Sequence, residues 1–153
     1  MDIQELRREA QTMQPQLTAD RRRLHRNPEA GAVLPETVAY VKKRLTEMGY
    51  HPQELGGGLT ATVTGTDTGR CILLRADMDA LRGQAQSGLS FRSENGCMHA
   101  CGHDLHTAML LGAAGLLQKH RSALRGTVKL VFQPDEEGFT GAKAMLKAGV
   151  LRD

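Results

Sequence analysis

Cys101, Gly102 and His103 set a thiol and an imidazole two residues apart, with glycine between them. A thiolate and an imidazole at that spacing can reach one metal ion. Zinc accepts sulfur, nitrogen and oxygen donors, and its catalytic sites keep one position for water. Glu136 and Glu137 are adjacent carboxylates. One can ligate such an ion while its neighbour stays free to take a proton. Metal binding lowers the pKa of bound water toward ~7, and a nearby carboxylate completes general-base catalysis. Asp77 and Asp79 share one face of any strand that runs through both. A carboxylate there can ligate metal, or hold a ligating histidine through its second ring nitrogen. Each cluster has a plainer reading: a polar helix start, a solvated loop, or an ion pair with Arg75. Three clusters together argue for metal chemistry over coincidence.

The elements that must position these groups are legible from periodicity. Residues 3–26 read as a polar helix, interrupted or begun anew at Pro15, and Asn27-Pro28 ends it. Val38, Val41, Leu45 and Met48 recur at helical spacing after Pro35, so residues 35–48 form a helix, with Gly49 as its stop. Leu59–Thr64 alternates as a strand, Gly65–Gly69 is a turn, and Thr127–Phe132 is another strand. Cys71–Leu74 is a continuous apolar run, expected of a strand covered on both faces. Residues 82–97 read as a loop with at most one short strand. Asp104–Lys119 is apolar nearly all round and predicts a buried helix, and Gly141–Lys147 predicts a short one. Strands alternating with helices predict an α/β layered domain, with its functional groups outside the carboxyl ends of the strands. Asp77 and Asp79, and Glu136 and Glu137, each directly follow such a strand.

Composition excludes several functions. Twenty basic and seventeen acidic residues give a net charge of +3, spread along the chain. Arg21-Arg22-Arg23 is the one basic run and reads as a solvated helix face. With five aromatic residues there is little to stack bases on, so no nucleic-acid partner is expected. The longest apolar stretch is too short for a membrane span, and the charged N-terminus lacks a secretory apolar region. Cys71, Cys97 and Cys101 are odd in number, and two lie in a His-rich stretch. A reducing, cytoplasmic setting with metal or catalytic use of thiols is expected.

Five segments together resemble the M20 zinc-peptidase family, in its amidohydrolase branch of N-acyl-amino-acid, hippurate and auxin-conjugate hydrolases. They are Leu24–Glu29, Leu74–Leu81, Met98–Met109, Val131–Gly138 and Gly141–Met145, in family order. The resemblance implies a zinc-exopeptidase-like three-layer α/β/α sandwich with a mixed sheet, present in part. It implies that Cys101, His103 and Glu137 ligate metal within a two-ion centre. It implies that Glu136 is the general base and that Asp79 orients the site. Zn or Mn, or Co, are the implied ions, and an N-acyl amino acid or similar amide the implied substrate. Asp104 and His106 would play supporting parts, and His25 a structural one at a helix end.

Two departures from the family pattern stand out. Arg82 occupies a position where proline is usual, with no glutamate in Gly83–Gln86. Asp135 replaces an alanine and adds a third negative charge beside Glu136, which could raise the proton affinity of that base. The family also completes its metal centre with later histidines and carries an inserted dimerisation domain, whereas no histidine follows His120 here. Residues 1–153 are therefore expected to be the N-terminal portion of a catalytic domain. The alternative to an active amidohydrolase is an incompetent fragment with a partial metal site. A third reading is a structural zinc module from Cys97, His99, Cys101 and His103. Apolar surface expecting cover also predicts self-association.

Overall fold

The computed structural model describes residues 2–67 and 69–152. Thr68, in the turn expected at Gly65–Gly69, and Asp153 lie outside them. The expected helix is begun anew at Pro15: α1 (Ile3–Thr12) is followed by α2 (Gln14–Arg26), with Pro15 at the start of α2 where its missing N–H costs nothing. Helix α3 (Pro35–Glu47) again begins on a proline. Its first free amides are taken by a distant side chain: the Glu29 carboxylate accepts from Glu36 N at 3.2 Å and Thr37 N at 2.8 Å.

Strands β1 (Gln53–Leu55), β2 (Gly58–Thr64), β3 (Cys71–Asp77) and β6 (Thr127–Gln133) form one mixed sheet in the order β1-β2-β6-β3. β2 runs antiparallel to β1 and β6, and β3 runs parallel to β6. Two short strands, β4 (Leu81–Arg82) and β5 (Cys97–Met98), pair with each other at the two ends of the stretch read as a loop. Helix α4 (His103–Lys119) completes the crossover from β3 to β6, and α5 (Gly141–Lys147) follows β6.

The pleat of β6 divides the core. Leu130 and Phe132 join Leu59, Ala61, Val63, Val41, Leu45 and Leu111 between the sheet and helices α3 and α4. Val131 faces the other way, onto Met145 of α5 and Val150. Helices therefore cover both faces of a mixed sheet, as the α/β expectation required.

One expectation fails. The run Cys71–Leu74 was expected to be covered on both faces, yet Cys71 is exposed, and Ile72 and Leu73 are 59% and 38% exposed. β3 is the edge of the sheet among the described residues, and only its carboxyl end (Ala76 and Asp77) is buried. Helix α4 is likewise buried on one side and exposed at Leu105 and Met109.

Candidate metal centre

Parallel pairing of β3 with β6 sets Asp77 opposite Gln133, so the segments leaving both strands emerge side by side. Met78 N donates to Gln133 O at 2.8 Å and extends that pairing. Asp79 and Glu136-Glu137 then meet. The Asp79 carboxylate is fully buried and accepts from Glu136 N at 2.9 Å and Glu137 N at 3.1 Å. The third segment enters from α4. Gly102, its N-cap, has φ of +84°, a conformation glycine adopts without strain. The turn leaves Cys101 exposed and directs His103 inward.

His103 is the hub. Its Nδ1 lies 2.8 Å from the carbonyl oxygen of Asp79, so Nδ1–H donates there and Nε2 carries the free lone pair. Around Nε2 stand Asp77 Oδ1 at 3.7 Å, Glu136 Oε2 at 3.8 Å and Glu137 Oε1 at 3.9 Å. Donors bound to one tetrahedral ion at about 2.1 Å lie about 3.4 Å apart, so these separations fit a shared cation after small side-chain shifts. Two donor clusters result, His103 with Glu136 and Glu137, and Asp77 with His103 and His106.

Cys101 falls outside both clusters but adjoins the first. The neighbouring Glu137 carboxylate, with the charges of Glu136 and Asp77, raises the Cys101 pKa above the ordinary thiol value. A cation among these carboxylates would reverse that balance and favour the thiolate. Cys97 and His99, which the zinc-module reading needs, join neither cluster among the described residues.

Asp135 is turned into its own loop. It is buried with φ of +48°, and its carboxylate accepts from the Thr140 hydroxyl. Its charge is thus held by its own loop. The sequence offered Arg75 as an ion-pair partner for the acidic segment and only a supporting part for His106. Asp77 is pinned by Arg75 at 2.9 Å and by His106 Nδ1 at 2.7 Å, while Arg75 Nε also donates to Gln133 at 2.9 Å. His106 lies one helical turn beyond His103, and their rings stack with centroids 5.6 Å apart. That i, i+3 spacing was the available signal. A cavity of about 670 Å3 lies elsewhere, along β1 and β2, and holds none of these groups.

The family model for peptidase family M20/M25/M40 matches residues 73–153, just over half of the chain. The chain belongs to this family. All three metal-centre segments fall within the matched M20 region. An N-acetyl-L-cysteine deacetylase of Bacillus subtilis (strain 168) is 45% identical over 143 residues, covering 92% of this chain and 34% of that protein. The IAA-amino acid hydrolase ILR1-like 5 of Arabidopsis thaliana is 50% identical, covering 87% and 31%. The crystal structure of a Bacillus subtilis dinuclear metal binding peptidase from M20 superposes with a TM-score of 0.89 at 40% identity, covering 93% of this chain and 41% of that one. The chain spans about a third of the length of these curated M20 relatives.

Proposed function

We propose that these residues carry the metal-binding and general-base part of an amide-hydrolysing site acting on N-acyl amino acids or similar small amides. The observation that carries this reading is His103 Nε2, freed by the Asp79 carbonyl and faced by the Glu136 and Glu137 carboxylates at 3.8 and 3.9 Å. Cys101, His103 and Glu137 would hold a divalent cation. Their mixed sulfur, nitrogen and oxygen set suits Zn, with Mn or Co also compatible. Such a cation supplies positive charge that acidifies water and polarises an amide carbonyl.

The chain's own groups do the rest. Glu136, 38% exposed at its side chain, takes a proton from the attacking water and returns it to the leaving amine nitrogen. Asp79 holds the backbones of both glutamates, so base and ligand keep a fixed offset. Free thiols at Cys71, Cys97 and Cys101 suit a reducing, cytoplasmic compartment, where a thiol ligand stays unoxidised. The names of the deacetylase and the IAA-amino acid hydrolase support the substrate class.

A second reading is favoured by the donor count. The two clusters share His103, so the described residues furnish one well-made ion position. On this reading residues 1–153 bind a cation without turning substrate over. The purified chain with added Zn²⁺, Mn²⁺ or Co²⁺, assayed on N-acetyl and N-benzoyl amino acids, separates the two. Turnover that vanishes in Glu136→Ala makes the chain an enzyme by itself. Stoichiometric binding of one cation without turnover makes it a partial site.

A further inference from the structure

Three buried polar atoms beside the ligand loop have no hydrogen-bond partner among the described residues: Nδ1 and Nε2 of His99 and Oδ1 of Asp104. His99 is 7% exposed and Asp104 is 1% exposed. The other oxygen of Asp104 is well served, since Arg21 Nε and His25 Nδ1 on α2 both lie 2.8 Å from it. An imidazole carries at least one N–H in any protonation state, and a carboxylate oxygen is a strong acceptor. Native interiors rarely leave such groups unpaired without an ordered water.

The two residues bracket the ligand pair. His99 stands two positions before Cys101, and Asp104 directly follows His103. We propose that one buried water joins a ring nitrogen of His99 to Oδ1 of Asp104, and that the network Arg21/His25–Asp104–water–His99 is the positioning device of the Cys101–His103 loop. A buried water needs two to four polar partners, and these atoms supply the first two. The network closes the loop at both ends and ties it to α2, so that Cys101 and His103 are held at a fixed separation before any cation arrives. His99 and Asp104 act through the ligands and touch neither cation nor substrate. The motif residue His25 thereby gains a role as the α2 end of the network.

The inference rests on the metal-centre reading for its functional part, and the experiment separates the two. The probe is Co²⁺ alone, titrated into the full 153-residue chain and followed by the thiolate-to-cobalt absorption of Cys101. His99→Phe should weaken binding at least tenfold while the circular dichroism of the metal-free chain stays unchanged, and His99→Asn should recover most of the loss. Asp104→Asn should weaken binding as well, and His99→Phe should add little in that background. Equal affinity in wild type and His99→Phe, or fully additive effects, overturns the proposal. The water is read independently, as a long-lived cross-peak to the His99 ring in NMR of the metal-free chain. Its absence from wild type overturns the proposal whatever the metal result. Should wild type fail to bind cobalt, the metal-centre reading falls. The network is then judged by amide exchange at residues 100–103: faster exchange in His99→Phe sustains it and unchanged exchange overturns it.

Discussion

Asp79 holds His103 by its carbonyl oxygen, 2.8 Å from Nδ1, while its carboxylate holds the two glutamates. One residue therefore couples the segment leaving β3, the start of α4 and the loop leaving β6. The tautomer of the hub imidazole and the offset of the Glu136-Glu137 pair depend on the same short stretch of chain.

Asp79→Ala should accordingly be among the most damaging single changes. It leaves the Glu136 and Glu137 amides without their charged acceptor in a part-buried setting, a loss of about 3 kcal/mol for the two bonds together. The carbonyl bond to His103 survives, so cation affinity should fall through displacement of Glu137 and not through loss of the imidazole. Urea unfolding and Co²⁺ titration measure the two effects. A variant within about 1 kcal/mol of wild type, in the range of an ordinary surface change, would remove Asp79 from this role.

Cys101 offers a reading of local charge. In the metal-free chain the contact with Glu137 and the surrounding carboxylates hold the thiol pKa up, so little thiolate is present near pH 8. Glu137→Gln removes the largest cause and should speed alkylation of Cys101 by iodoacetamide several-fold, while Cys71, exposed on β3, should react as before. Added Zn²⁺ should protect Cys101 in wild type and protect it less in the variant. Peptide mapping by mass spectrometry assigns each thiol. Equal rates at Cys101 in wild type and variant would show that Glu137 does not control it.

Tyr50 gives a pH dependence with a definite sign. Its hydroxyl donates to the Ala114 carbonyl at 2.9 Å in the core, and burial pushes its pKa up to about 12. The unfolded chain ionises this group near 10. Above that pH the unfolded state loses the proton first, so stability is fully present below pH 10 and declines as pH rises toward 12. A shift of this size corresponds to about 2 to 3 kcal/mol at most. Tyr50→Phe should cost about 1 kcal/mol at neutral pH for the lost bond and should flatten the decline between pH 10 and 12. Thermal midpoints across that range decide it.

Legibility from sequence followed how local each feature is. The pairs Cys101/His103 and Glu136/Glu137 stood out as candidates because their spacing is local in the chain, and the strands before the acidic segments told where those segments would lie. The pairing of Asp77 with His106, and of Asp104 with Arg21 and His25, joins residues far apart in the chain, so only the packing of α4 against β3 and α2 reveals it. Arg21 itself was read as part of a solvated run, and its partner carboxylate is buried. Glu29 as a cap for α3 was equally hidden, because the carboxylate reaches over from seven residues before Glu36.

The exposure of β3 was misjudged for a related reason. An apolar run states that a strand wants cover on both faces, but it does not state what supplies the cover. Ile72 and Leu73, on opposite faces of a strand that is the sheet edge among the described residues, leave apolar side chains and a row of backbone groups open together. Residues 1–153 in isolation should therefore self-associate through this edge. Sedimentation velocity across a tenfold or larger concentration range should show reversible growth in mass, and Ile72→Lys with Leu73→Lys should return the chain to a monomer. Lysine at an edge resists pairing by charge and hydration, and the carboxyl half of β3, which carries Asp77, lies far enough along the strand to keep its contacts. Cobalt binding by the double variant should match wild type, which separates loss of self-association from loss of fold. A wild-type chain that sediments as a monomer at every concentration would show that the open edge is tolerated.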